Sequence, residues 1–290
     1  MHAQSNALRY ALLATPLVFV AIFLLGPLMV TLAWSVWELD GFSVRPGFTL
    51  EHYREFFTGV RLFVLERSLV VAVAVTGLSL AIAYPIAYFL AMRVRPEVSR
   101  VVLLLFTVPF LVNYVIRNFA LAYLLSRTGP VNQALIGLGV VEQAVDWLLF
   151  SHFSVFTGLI ASYMPFMIYP LWLALAGIDR HLIEASWMLG ADPRITFLRV
   201  TLPLSMPGVF AAAIFGFVGS FGESAVPIIL GGVGYQLMGN TITSSMDVLN
   251  YPLAAAMSSV VVGLMLMLLI AWYAVFDIRS FLGKIALWRY

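Results

Sequence analysis

Six apolar runs divide the chain, at about 10–36, 68–92, 101–125, 153–176, 205–230 and 253–276. Each holds about 24 to 27 residues, more than the ~20 that a helix rising 1.5 Å per residue needs to cross a ~30 Å hydrocarbon layer. Four of the six contain no Asp, Glu, Lys or Arg; the exceptions are Arg117 in the third and Glu223 in the fifth. The pattern predicts an all-α, polytopic membrane protein with six transmembrane helices. Residues 10–36 are read as a retained first span, because the run is longer than a signal-peptide core and no small-residue cleavage site follows. With no internal repeat, low-complexity tract or linker, residues 1–290 are expected to form a single membrane domain.

Composition agrees with that pattern. Hydrophobic residues make up 62% of the 290 and charged residues 10%, with a mean hydropathy of +0.98. A soluble domain has about half its residues apolar and about a quarter charged. There is no cysteine, so thiolate metal sites and disulfides are excluded. His2, His52, His152 and His181 share no ligand spacing, so no metal site is expected. A net charge of +2 gives no reason to expect nucleic acid as a partner.

Lys and Arg in the loops predict orientation. Arg9, Arg93, Arg95, Arg100, Arg180, Arg194, Arg199, Arg279, Lys284 and Arg289 fall on one side; Arg45, Arg54, Arg61, Arg67 and Arg127 fall on the other. The excess places both termini in the cytoplasm. Glu38, Asp40, Glu51, Glu55, Glu66, Glu142, Asp146 and Asp247 then lie in outer loops. In the first outer loop, Thr49 is placed to cap a short helix that begins with Glu51 and His52. Residues 131–150 are expected to form a short helix on the outer surface, with Trp147 at the interface. Residues 231–251, with Gly231, Gly232 and Gly234 and no Lys or Arg, are expected to form a flexible outer loop. Such a loop would either touch an external partner or only connect two spans.

The charged stretch 179–203 interrupts the apolar pattern on the cytoplasmic side. Asp179 is placed to cap a helix from Arg180 to Leu189, and Gly190 supplies the left-handed position that ends it. Asp192 and Pro193 read as a second helix start, running to about Val200, with Pro203 marking its end. Ile183 and Trp187 share a helix face, with Glu184 beside them. Such a pair either docks a partner protein or rests on the lipid surface.

The stretch resembles the EAA loop of ABC-importer permeases, whose pattern is E-A-A, three residues, G, nine residues, I, one residue, L-P. Here Glu184, Ala185, Ser186, Gly190, Val200, Leu202 and Pro203 keep every spacing, with Ser186 for the second alanine and Val200 for isoleucine. The segments PFLVNYVIRNFALAYLLSRTGPVNQ (109–133), GESAVPIILGG (222–232), MGNTI (238–242) and YPLAAAMS (251–258) are similar to spermidine/putrescine permeases. The resemblance implies the type I importer membrane-domain fold in a bacterial inner membrane. It also implies that Glu184, Ala185, Ser186, Trp187, Gly190, Asp192, Pro193, Leu202 and Pro203 couple the chain to an ATPase. The partners it implies are a second homologous permease, a dimer of ATP-binding cassette subunits and a periplasmic solute-binding protein, with membrane lipid around the spans. The solute it implies is a polyamine such as spermidine or putrescine. The chain itself has no P-loop: its single Gly-Lys, Gly283–Lys284, is followed by Ile285. ATP and Mg are therefore expected on the partner ATPase, with no cofactor on this chain and no catalytic residue. The alternatives are an importer for another small solute, a secondary transporter independent of ATP, and a membrane scaffold.

Candidate path residues are Asn113, Tyr114, Arg117, Asn118 and Glu223. Arg117, 16 residues beyond Val101, lies about 24 Å from the cytoplasmic end of its span, and Glu223, 18 residues beyond Ser205, about 27 Å from that of its own. At that similar depth they are expected to pair or to share one polar cavity. They would then either fix span packing or touch the passing solute. Tyr114, Tyr123, Tyr163, Tyr235 and Tyr251 could offer aromatic faces to a cation, although aromatics are common at membrane interfaces. Gly208, Ala212, Gly216 and Ser220 repeat every four residues, a spacing that lets helix backbones approach closely.

Overall fold

The computed structural model describes Ala14, residues 16–41 and residues 43–275. The first residues of the first span, and the charges of both termini, lie outside the described residues. In chain order the elements are α1 (Pro16–Trp34), β1 (Glu38–Asp40), β2 (Ser43–Arg45), α2 (Glu51–Thr58), α3 (Val60–Met92), α4 (Pro96–Leu111), α5 (Tyr114–Leu125), α6 (Pro130–Gly137), α7 (His152–Ala176) and α8 (Arg180–Met188). Then come α9 (Pro193–Phe221), α10 (Ala225–Gly231), α11 (Met238–Asp247) and α12 (Tyr251–Val275). Among the described residues, five helices are long and apolar enough to cross a membrane, or six if a bent pair counts as one span. Many large apolar side chains on these helices are exposed, among them Phe19, Val73, Leu104 and Phe215. A water-facing surface would not carry so many; a hydrocarbon-facing one does.

The described residues form two compact units. One runs to Phe63 and resumes at Ile242. In it α12 packs on α1 and α2, with Trp34 edge-on to Tyr251 at 6.0 Å. The β1–β2 hairpin pairs Glu38 with Arg45, and the Thr49 hydroxyl accepts the Glu51 N–H at 3.1 Å.

The second unit spans Val64–Thr241 and holds two apolar cores. Ala83, Ala87, Leu90, Leu103, Met167, Leu171 and Ala212 join α3, α4, α7 and α9. Val71, Val75, Val155, Leu159, Val226 and Leu230 join α3, α7 and α10. The small-residue stripe faces α7: a Cβ on Gly208 would lie 2.5 Å from Ala174 Cβ, and one on Gly216 would lie 2.7 Å from Met167 Sδ. Ala212 between them is fully buried.

Four expectations need correction. The third span is not one helix: α4 and the α5–α6 segment meet at 88°. Val112 is extended, and the Asn113 carboxamide accepts the Val115 and Ile116 N–H groups to restart the helix. The fifth span also breaks, because α9 stops at Phe221 and α10 restarts at Ala225. Depths counted at 1.5 Å per residue therefore do not apply to Arg117 or Glu223. Pro203 does not end the second helix of the 179–203 stretch. A π turn at Phe197–Thr201 precedes it, with the Leu202 N–H donating to the Phe197 carbonyl. That wider turn displaces the carbonyl against which the proline ring would clash, so α9 continues through it.

The segment 231–251, expected to be a flexible outer loop, is folded rather than loose. Tyr235, Leu237, Met238 and Asn240 are buried. Asn240 accepts the Leu237 N–H at 2.7 Å and donates to the Tyr235 carbonyl at 2.9 Å, while the Met238 N–H reaches Ser68 Oγ at 2.8 Å. Residues 131–150 contribute only α6 and one 3-10 turn at Asp146–Leu148. Asn132 holds the connection between them through the backbone N–H of Val145.

Candidate functional site

Two sites stand out in the second unit. The first is the turn between α7 and α9. Asp179 Oδ1 accepts the His181 N–H at 3.0 Å and so caps α8. Gly190 has φ +82°, where a side chain would be strained, and lets the chain reverse. Asp192 Oδ1 then accepts the Ile195 N–H at 2.7 Å, with Pro193 at the first helical position. Each cap of this kind contributes about 1 kcal/mol.

The two helices are also tied by side chains. Ser186 donates to the Ile183 carbonyl at 2.8 Å, so its oxygen accepts from the buried Thr196 hydroxyl, also at 2.8 Å. An alanine at 186 could not make this tie. The tip of the turn faces outward: Met188 and Leu189 are each 89% exposed and Trp187 55%. Glu184 lies beside them, 3.4 Å from His181 Nδ1. Behind the turn, the Phe197 ring meets Tyr84 and Tyr88 edge-on at 5.9 and 5.8 Å. Tyr84 in turn bonds Ser205 at 2.8 Å. An exposed apolar tip is thus joined without interruption to a long span.

The second site gathers the two intramembrane charges. Tyr163 donates to Glu223 Oε2 at 2.6 Å, and Glu223 Oε1 accepts the Ala225 N–H at 2.8 Å and, at 3.4 Å, that of Val226. The carboxylate thus sits at the start of α10, buried, and its charge is met by internal donors. The Arg117 guanidinium lies 5.3 Å from the centre of the Tyr114 ring and 3.5 Å from Ser162 Oγ. The buried Tyr114 hydroxyl sits among Glu223, Asn118 and Ser162 without a hydrogen bond of good geometry. Tyr163 lies within electrostatic reach of both charges. Arg117 and Glu223 therefore belong to one polar cluster and meet through shared neighbours.

The other candidates divide. Asn118 donates to the Tyr114 carbonyl at 3.1 Å and is buried in the cluster. Asn113 is engaged as a helix cap, and Tyr123 is 62% exposed. Tyr235 belongs to the folded 231–251 segment, bonded to His152 Nδ1 at 2.8 Å and beneath the Arg67 guanidinium at 4.3 Å. Burial raises its phenol above the usual value, against the pull of Arg67. Sequence spacing missed Ser162 as a member of the cluster, and Thr196 and Phe197 at the turn. Their partners lie far away in the chain or across a turn, and no local signal marks them. Among the described residues no group of His, Cys, Asp or Glu could hold a metal.

A helical membrane chain with broken spans, a buried charged cluster and a capped helical turn ending in an exposed apolar tip is the architecture of a transport permease. Residues 79–280 match the family described as the binding-protein-dependent transport system inner membrane component, and the chain belongs to it. It is 34% identical over 239 residues to the spermidine/putrescine transport system permease protein PotB of Escherichia coli K12, covering 81% of this chain and 86% of that one. PotB of Haemophilus influenzae is 33% identical over 254 residues, covering 87% and 88%. The inner membrane ABC transporter permease protein YdcU of Escherichia coli K12 is 31% identical, covering 92% and 88%. In fold, the chain matches a chain of a bacterial alginate ABC transporter solved in complex with an alginate-bound periplasmic protein. That match has TM-score 0.68 and 18% identity and covers 91% of this chain and 93% of the other.

Proposed function

We propose that this chain is the permease subunit of an ATP-driven importer that carries a polyamine. In this reading it lines the path with a second permease, receives solute from a periplasmic binding protein and draws energy from cassette subunits that hold ATP and Mg. Both termini face the cytoplasm, so the 179–203 turn meets the cassettes. The observation that carries the reading is the unbroken link from the exposed Trp187–Leu189 tip, through the Ser186–Thr196 tie, into α9. Movement of a docked cassette would push on α8, and the Asp192-capped start of α9 would pass that push to Phe197 and the span. The π turn sits where the transmitted motion enters the membrane; such turns recur at functional positions.

The polyamine assignment is supported by the identity to the PotB proteins. It is also supported by the chemistry of the cluster, where a carboxylate and two tyrosine rings suit an ammonium group. Arg117 beside them disfavours a free cation until Glu223 and the tyrosines offset its charge, which would hold solute loosely enough to release it. Glu223 and Tyr163 are the expected contacts, with Tyr114 and Asn118 shaping the wall. The test is uptake by the transporter reconstituted with its binding protein, using labelled spermidine against putrescine and unlabelled amino acids. Spermidine-dependent ATP hydrolysis that amino acids do not reproduce supports the assignment. ATP-driven uptake of an amino acid with none of spermidine would replace the solute and leave the permease role standing. Failure to co-purify any ATPase would overturn the role itself.

A further inference from the structure

We infer that the inner ends of α3, α4 and α7 form a binding site for the headgroup of an anionic phospholipid. A crevice of about 230 Å³ opens where α3 ends, α4 begins and α7 ends. Helix ends of membrane spans lie at the bilayer surface, whichever way the chain is oriented. The walls are apolar, with Leu90, Met92 and Leu175 among them, and the rim carries Arg100 and Arg180. Both arginines are exposed, and neither makes an ion pair within 4 Å among the described residues. Trp172, at the back, is fixed by its indole N–H, which donates to Ser99 Oγ at 2.8 Å.

The chemistry points to one ligand class. Two guanidinium groups at the mouth of an apolar cleft match a phosphodiester above acyl chains: the guanidinium fork fits phosphate oxygens, and the cleft shelters the first methylenes. The fixed indole suits the interfacial depth at which a headgroup sits. A transported solute is a poor fit, because the volume is below the ~300 Å³ typical of small-molecule pockets. The nearby acids do not cancel the basic rim. Neither Asp179, which caps α8 through the His181 N–H, nor Glu97, in the first turn of α4, lines the crevice, and neither lies within 4 Å of Arg100 or Arg180 as an ion pair. On the charge-derived orientation the site faces the inner leaflet, where anionic lipid meets basic loops.

The test is native mass spectrometry of the full chain in mild detergent with phosphatidylglycerol, phosphatidylcholine or inorganic phosphate. Phosphatidylglycerol is expected to be retained in preference to phosphatidylcholine. Arg100→Gln with Arg180→Gln should weaken retention about 25-fold, from two arginines near an anionic group. Ala176→Phe, which fills the crevice and leaves every charge in place, should weaken it as well. Arg194→Gln with Arg199→Gln removes equal charge outside the crevice and should change retention less than about twofold. Equal loss in the two arginine pairs would show general surface attraction and overturn the site. So would equal retention of the two lipids, or displacement of the lipid by millimolar phosphate, which would make it a soluble-anion site.

Discussion

The 179–203 turn and the Glu223 cluster use the same kinds of polar contact for opposite ends. In the turn, Asp179, Ser186 and Asp192 bond to atoms at most ten residues away, and the apolar tip stays exposed. In the cluster, Glu223 is buried and bonded to Tyr163, 60 residues away, while the 222–223 backbone is pressed against Gly239. The turn is shaped by its own sequence and free to meet a partner. The cluster is shaped by the whole fold and is costly to disturb. Changes in the cluster should therefore register first in stability, and changes in the turn first in coupling.

Substitutions at five positions test that division, in falling order of their effect on folding. Gly239→Ala would put a Cβ 2.3 Å from the Glu223 carbonyl oxygen and 2.6 Å from its carbon. Backbone cannot yield as a side chain can, so a loss of about 3 kcal/mol is expected, read as lower thermal stability in detergent. Glu223→Ala leaves the Tyr163 hydroxyl and the Ala225 N–H without their acceptor and should cost about 2 to 3 kcal/mol; Glu223→Gln should recover part of that. If Glu223→Ala melts like the unaltered protein yet fails to transport, the cluster serves only the solute and the contrast collapses.

Asp192→Ala removes one cap and should cost about 1 kcal/mol by the same melts, with Asp192→Asn close to unaltered. Ser186→Ala should cost about 0.5 to 1 kcal/mol by breaking the tie to Thr196. It should also lower the ATP hydrolysis evoked by solute while leaving basal hydrolysis alone. Glu184→Lys should leave stability within about 0.5 kcal/mol, because its side chain is 61% exposed. Uptake should nevertheless fall at least about tenfold, a loss of 1.4 kcal/mol or more in coupling. Normal uptake by that variant would remove the reason for treating the turn as the coupling element.

The same division explains what could be read from residues alone. Asp179, Gly190 and the Asp192–Pro193 pair act within one turn of themselves, so their roles follow from spacing. Pro203 misled because its stop signal depends on a carbonyl four residues back, and the π turn moved that carbonyl. The third span read as continuous because FTVPFLVNYV carries no charge and is mostly apolar, and hydropathy is blind to backbone direction. Pro109 and Asn113 were the local signs of the break. Arg117 and Glu223 were conspicuous as charges in apolar runs. That they meet through Ser162, Tyr163 and Tyr114 depends on how the helices pack, which no single span encodes. In the 231–237 stretch, glycines suggested looseness, yet Gly231 is where Tyr235 packs too closely for any side chain.

The bare Trp187–Leu189 tip also bears on how the protein is made. Apolar side chains held in water invite aggregation and recognition by quality-control proteases. If a partner protein covers the tip, as the proposed function has it, a cell that makes this chain faster than that partner should clear the excess. Its abundance would then follow the supply of that partner rather than its own rate of synthesis.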